Sequence, residues 1–141
     1  MADDPKTAND RFNEEVINQK KLDVIDELVS DDMVDHIPMP GQGPGREGVK
    51  QAIAGFFEAF SDLRIEVVEE VTSGELVAQV VRFTGTHDGP LMGMPATGRS
   101  VSFLGADFGR VRDGRFVEHW GFVDQGGLMQ QLGMSPGGPP G

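Results

Sequence analysis

TGTHDGPLMGMPATGRSVSFLGADFGRVRDGRFVEHWGFVD, residues 84–124, decides the fold of this chain. Its second half reads as a β-hairpin. Apolar and polar residues alternate over Val101–Val111 and again over Phe116–Val123, and the two runs flank Asp113-Gly114, a dipeptide suited to a tight turn. Asp88-Gly89-Pro90 to Gly98 reads as an irregular loop carrying Met92 and Met94. Asp107 stands among Leu104, Ala106 and Phe108, and His119 among Phe116, Val117 and Trp120. Ionisable groups in such company are costly unless paired or wetted, so the stretch indicates a pocket.

Working outward, the period of two persists upstream. Leu63, Ile65 and Val67 alternate with charged residues, Ser73-Gly74 makes a turn, and Leu76–Phe83 forms a strand. Before these strands the period is helical. Thr7 with Asp10 resembles a capping box, and Phe12, Val16 and Ile17 share a face, predicting a helix to about Lys20. Leu22, Ile25, Leu28 and Val29 predict a short second helix ended by the acidic turn Ser30–Asp32. Met33–Gly48, broken by Pro38, Pro40 and Pro44, reads as a long loop with His36 at its start. From Arg46 a third helix is marked by Val49, Ile53, Phe56, Phe57 and Phe60. Downstream, a short helix is expected over Gly127–Leu132, and the tail SPGGPPG, residues 135–141, is expected to be disordered. The pattern predicts one α+β domain over residues 1–134, with three N-terminal helices packed on one face of a curved antiparallel sheet. Gly105, Gly109 and Gly121 lie inside strands, where bulges and bends use glycine.

Composition narrows the function. At 141 residues the chain can bury about two-thirds of its unfolded surface and still enclose a cavity. It has no cysteine, which excludes disulfides, thiolate metal sites and cysteine nucleophiles. A formal net charge of -11 argues against nucleic acid and anionic membranes as partners. The residues read as neither a signal peptide nor a spanning helix, and the expected location is the cytoplasm. GQGPGREG at 41–48 lacks the Gly-Lys-Ser/Thr ending of a phosphate loop, and no Gly-x-Ser-x-Gly elbow is present.

Four segments occur in order: His36 with its Pro/Gly loop, GTHDGPLMGMPATGR at 85–99, RVRDGRFVEHWGFVD at 110–124, and GLMQQLG at 127–133. This series resembles the SnoaL-like polyketide cyclases and their ester cyclase relatives, over about residues 10–134. The resemblance implies a cone-shaped, nuclear transport factor 2-like (cystatin-like) fold, commonly dimeric, with an apolar pocket between sheet and helices. It implies ring closure in a polyketide-like intermediate by acid–base chemistry, with no metal and no cofactor. One departure stands out. The similar cyclases carry a catalytic Asp just after the position of Trp120, where this chain has Gly121, and their partner His corresponds to Asp107. The aldol pair is therefore not reproduced, and other ring closures, cycloaddition included, stay open.

The catalytic candidates are Asp107, His119 and His36. Asp107 either faces a wet pocket as an acid or base, or pairs with Arg82 or Arg110. His119 shares strand parity with Val117 and Gly121, so Gly121 would leave open space beside the imidazole for a ligand; the alternative is a structural histidine. His36 and His87 lie beside Gly/Pro-rich loops and would line the pocket mouth or stand exposed. Phe83, Gln79, Trp120, Met92, Met94, Gly121 and Asp124 complete the expected substrate contacts, although Asp124 also suits the cap of the last helix and Trp120 also suits the core. The histidine spacing fits no local metal motif. The expected partners are a small apolar substrate and a second copy of the chain. The rival readings are a binding protein for an apolar small molecule, and an isomerase, dehydratase or hydrolase on the same fold.

Overall fold

The structure, a computed structural model, describes residues 4–133, so the tail expected to be disordered lies outside the described residues. Asp4, rather than Thr7, caps the first helix: its Oδ1 accepts a 2.8 Å hydrogen bond from the Thr7 amide, and Pro5 takes the first helical position. Asp10 instead takes the Lys6 ammonium at 2.6 Å. This helix, α1 (Pro5–Arg11), runs on into a π-helical stretch, Phe12–Asn18. Such wide turns are uncommon and concentrate where a helix serves a site. A 3₁₀ turn (Leu22–Val24) leads to the short α2 (Ile25–Leu28).

The segment read as an acidic turn opening a long loop is instead a strand, β1 (Val29–Asp35). Val29 and Met33 are buried, while Asp31 and Asp32 face water, and this solvated acidic run hides the alternation from a reading of the sequence. After β1 the loop is correspondingly shorter, and α3 (Gly45–Ala59) follows as expected. Then come β2 (Arg64–Ser73), β3 (Leu76–Thr86), β4 (Ser100–Arg112), β5 (Arg115–Val123) and α4 (Gln125–Gln131).

The five strands form one sheet in the order β1-β5-β4-β3-β2. β2 through β5 are antiparallel, as predicted, but β1 joins β5 in parallel, with Asp35 opposite His119, so the sheet is mixed at one edge. Asp113 and Gly114 turn the last hairpin with φ of 54° and 78°, the left-handed values that a tight two-residue turn requires. Val111 pairs with Phe116 and Arg110 with Glu118, leaving Val117 as an extra residue. That bulge turns Phe116 into the core, in place of the inward Val117 that strict parity predicted.

The sheet has two unlike faces. Val77, Val81, Val101, Phe103, Val111 and Phe116 turn inward and are buried with Val16, Ile17, Val49 and Phe60 of the helical layer. Val80, Leu104, Phe108 and Phe122 turn outward and remain exposed. On the inner face the strand glycines make room for rings. A Cβ on Gly105 would lie 2.8 Å from the Phe83 ring, and one on Gly109 would lie 2.7 Å from the Phe116 ring. Space, more than bending, accounts for glycine at these two positions.

The loop between β3 and β4 closes on His87, which is fully buried. The His87 Nδ1 accepts from the Thr97 amide at 3.2 Å, and the His87 backbone bonds to Arg99 and Gly98. His87 is thus a loop anchor and does not line the pocket mouth. Met94 packs against the core and Met92 points into solvent, so neither methionine reaches the cavity described next.

Candidate active site

Between the inner sheet face and the helices α1 and α3 lies a cavity of about 380 Å³. Phe12 and Ile17 line it from the first helix, Val49, Ala52, Ile53 and Phe56 from α3, and Phe83, Phe103 and Phe116 from the sheet. Ile37, Pro38 and Pro40, in the loop after β1, form an exposed rim. A space of this size with mostly apolar walls suits a multi-ring or long-chain organic molecule.

One wall is polar, and its groups form a line. His119 projects from β5 with its Nε2 3.0 Å from Asp107 Oδ1 on β4 and its Nδ1 3.4 Å from Asp35 Oδ1 on β1. Each carboxylate is held from behind. Asp35 accepts from Gln42 Nε2 at 3.0 Å and from the Ile37 amide at 3.1 Å. Asp107 Oδ2 accepts from Gln79 Nε2 at 3.0 Å. The Gln79 amide cannot flip, because its Oε1 already accepts from Asn9 and Asn13, each at 2.8 Å. Both asparagines are buried, four residues apart on the inner side of the first helix.

This arrangement sets the charge of the imidazole. Burial pulls the His119 pKa down, but the two carboxylates outweigh it and push the value up to about 9. At neutral pH the ring carries both protons, one toward each Asp. Burial likewise opposes ionisation of Asp35, yet His119, Gln42 and the Ile37 amide together hold its pKa below the usual carboxylate value. The site therefore presents an acid, His119, flanked by two potential bases. With both ring nitrogens turned to carboxylates, His119 has no lone pair free for a metal, and among the described residues no group of three or more His, Asp or Glu is arranged to hold one.

Five residues expected from the sequence line this cavity: Asp107, His119, Gly121, Gln79 and Phe83. Asp107 pairs with neither arginine considered for it, since Arg82 donates to Ser102 and Arg110 to Glu118. The expected open space beside Gly121 is occupied: a Cβ there would stand 2.7 Å from His119 Cε1, so the imidazole itself fills the gap. His36 lies on the outer face, its Nε2 3.0 Å from Glu118 and its ring stacked on Trp120 at 4.3 Å between centroids. Neither His36 nor Trp120 lines the cavity. Asp124 caps α4, accepting from the Gly127 amide at 3.0 Å, and is also outside it.

Asp35, Gln42, Asn9 and Asn13 escaped the sequence reading. For the asparagines a signal was present, since two amides spaced four apart share the apolar face of Phe12, Val16 and Ile17. For Asp35 the signal lay in β1, which was read as loop.

A model of the SnoaL-like polyketide cyclase family matches residues 7–132. The chain is 34% identical over 90 residues to the aklanonic acid methyl ester cyclase DnrD of Streptomyces peucetius, covering 63% of this chain and 62% of that relative. The chain thus spans somewhat under two-thirds of DnrD. It is 29% identical over 118 residues to the nogalonic acid methyl ester cyclase of Streptomyces nogalater, covering 82% of this chain and 88% of the relative. Among solved structures, TsrD from Streptomyces laurentii superposes with a TM-score of 0.82 at 28% identity, covering 91% of this chain and 93% of TsrD. IdmH from Streptomyces antibioticus superposes with a TM-score of 0.79 at 34% identity, covering 92% and 98%. With a family model matched along nearly its whole described length and the same curved sheet in its structural relatives, the chain belongs to the SnoaL-like polyketide cyclase family.

Proposed function

We propose that the protein is a cofactor-independent cyclase that closes a ring in a neutral, largely apolar polyketide-like intermediate. The observation that carries this reading is the carboxylate–imidazolium–carboxylate line set into the polar wall of a mostly apolar cavity. A flexible substrate folded against the phenylalanine wall is held near its reacting conformation, and such positioning is worth about 7 to 11 kcal/mol in favourable cases. In an aldol closure Asp107 removes a proton from the carbon between two carbonyls, and that carbon attacks a third, more distant carbonyl of the same molecule. The alkoxide takes the Nε2 proton of His119. The proton on Asp107 then returns to the imidazole across the 3.0 Å contact, and the site is restored with no net change in atoms.

Among the described residues, the charged groups that line the cavity are Asp35, Asp107 and His119, so the wall carries one net negative charge when His119 is protonated. A free carboxylate on the substrate would meet that charge with no lysine or arginine among the described lining residues to receive it, which favours a neutral molecule such as an ester. Action in the cytoplasm, and pairing of two copies through the outer sheet face where Val80, Leu104, Phe108 and Phe122 are exposed, belong to the same reading.

The test is incubation of the purified chain with aklanonic and nogalonic acid methyl esters, followed by chromatography and mass spectrometry. A product of unchanged mass and shifted retention is expected. Stoichiometric binding with unchanged recovery would replace the proposal with a binding protein, and gain or loss of water would replace it with a hydrolase or dehydratase.

A further inference from the structure

Gly121 faces Asp107 across the β4–β5 pair, two residues along the strand from His119. Three inner-face glycines of this sheet have a ring lying against the bare Cα, and in two of them the ring is a phenyl group of the apolar wall. At Gly121 it is the imidazole. A Cβ built there stands 2.7 Å from His119 Cε1, 3.1 Å from its Nε2 and 3.0 Å from Asp107 Oδ1, touching both members of the pair. The backbone at Gly121 is not left-handed, so an alanine would be tolerated by the main chain. The atoms in its way are the ends of two side chains, which can swing aside at little cost to the sheet.

We propose that Gly121 is a positioning residue for the acid–base pair: its missing side chain is the space into which His119 turns to reach Asp107, and any side chain at 121 separates the two. The absence of an acid at this position is then the condition for a different pair, built from the residue opposite and the residue two positions earlier. The inference rests on the proposed role of His119 and Asp107 only for its bearing on catalysis. The geometry on which it stands is independent of the reaction.

The groups that set the proton affinity of His119 are Asp107 from β4 and Asp35 from β1. The first helix and β3 face the pair with the neutral amides of Asn9, Asn13 and Gln79, and the rim loop with that of Gln42. Losing one carboxylate contact and keeping the other therefore gives a readable shift.

The experiment is an NMR titration of isotope-labelled histidines in the full chain, with the three imidazoles assigned through His36→Gln and His87→Gln. In Gly121→Ala the titration of His119 should fall by about 1 pH unit or more, a tenfold or greater loss of proton affinity. Asp107→Asn should produce a comparable fall, and the double variant no further one. Gly105→Ala, which crowds the Phe83 ring and the Phe122 carbonyl of β5 but neither His119 nor Asp107, should leave the titration in place, so a distortion of the whole sheet would be visible as a shift in both. An unchanged His119 titration in Gly121→Ala, or effects of Gly121→Ala and Asp107→Asn that simply add, overturns the proposal. If Gly121→Ala does not fold, His119→Ala must rescue it by emptying the crowded space; failure to rescue overturns the proposal as well. A lowered titration with undiminished cyclisation would leave Gly121 in its role and remove His119 from the chemistry.

Discussion

His119 is the pairing partner of Asp35, and His36 is the next residue along the chain, yet the two histidines lie in different worlds. His119 faces the inside of the curved sheet, between two carboxylates and beside a cavity. His36 faces outward, stacked on Trp120 and bonded to Glu118, whose other oxygen takes Arg110 at 2.7 Å. Both are histidines with a carboxylate at about the same distance. What separates them is strand alternation, which sends consecutive side chains to opposite faces, and the helical layer, which covers one face only. On the covered side two carboxylates govern the proton affinity of His119; the open side is in contact with solvent.

The comparison can be broken most decisively by activity. His119→Ala or Asp107→Asn should lower cyclisation by about 10²- to 10⁴-fold, the usual contribution of a positioned acid or base, whereas His36→Ala should change it less than about twofold. Comparable losses from both histidines would mean that the outer face, too, takes part. Asp35→Asn should fall between, because it takes a carboxylate from the Nδ1 side and leaves the shorter Nε2 contact intact.

The next effect is on stability against pH. His119 has a folded-state pKa raised from 6.5 to about 9, so its pairing stabilises the fold fully below pH about 6.5 and is lost as pH rises through about 9. Asp35, with a lowered pKa, contributes above its ordinary value of 3.8 and loses that contribution as pH falls below it. Urea unfolding between pH 5 and 10 should show a decline on the alkaline side that is flatter in His119→Gln; parallel curves would refute the half-buried charge pair.

The smallest effect is spectroscopic. The chain has one tryptophan, and His36 lies over it at 9° between ring planes, so His36→Ala should alter tryptophan emission while leaving the unfolding midpoint unchanged within error. His119→Ala, on the far side of the sheet, should leave the emission close to wild type.

Much of this was legible without coordinates. The alternation in β3, β4 and β5, the Asp113-Gly114 turn and the apolar stripe of α3 follow from local periodicity, and a polar residue between apolar neighbours marked Asp107 and His119. The order of motifs pointed to the family. β1 was hidden because the consecutive acids Asp31 and Asp32 interrupt the alternation on an edge strand in which only Val29 and Met33 are buried. With β1 unread, neither the role of Asp35 nor the outward direction of His36 could be deduced.

Sequence by itself determined which residue types stand in the helices and in β2 to β5, because helical and strand periods are local and each apolar stripe must be buried. Tertiary structure alone decided that Asp35, 84 positions before His119 in the chain, would meet it, that His87 would close a loop, and that the gap at Gly121 would hold an imidazole. Those outcomes depend on register and on the bulge at Val117, which are settled only when distant strands pair and their side chains compete for the same space.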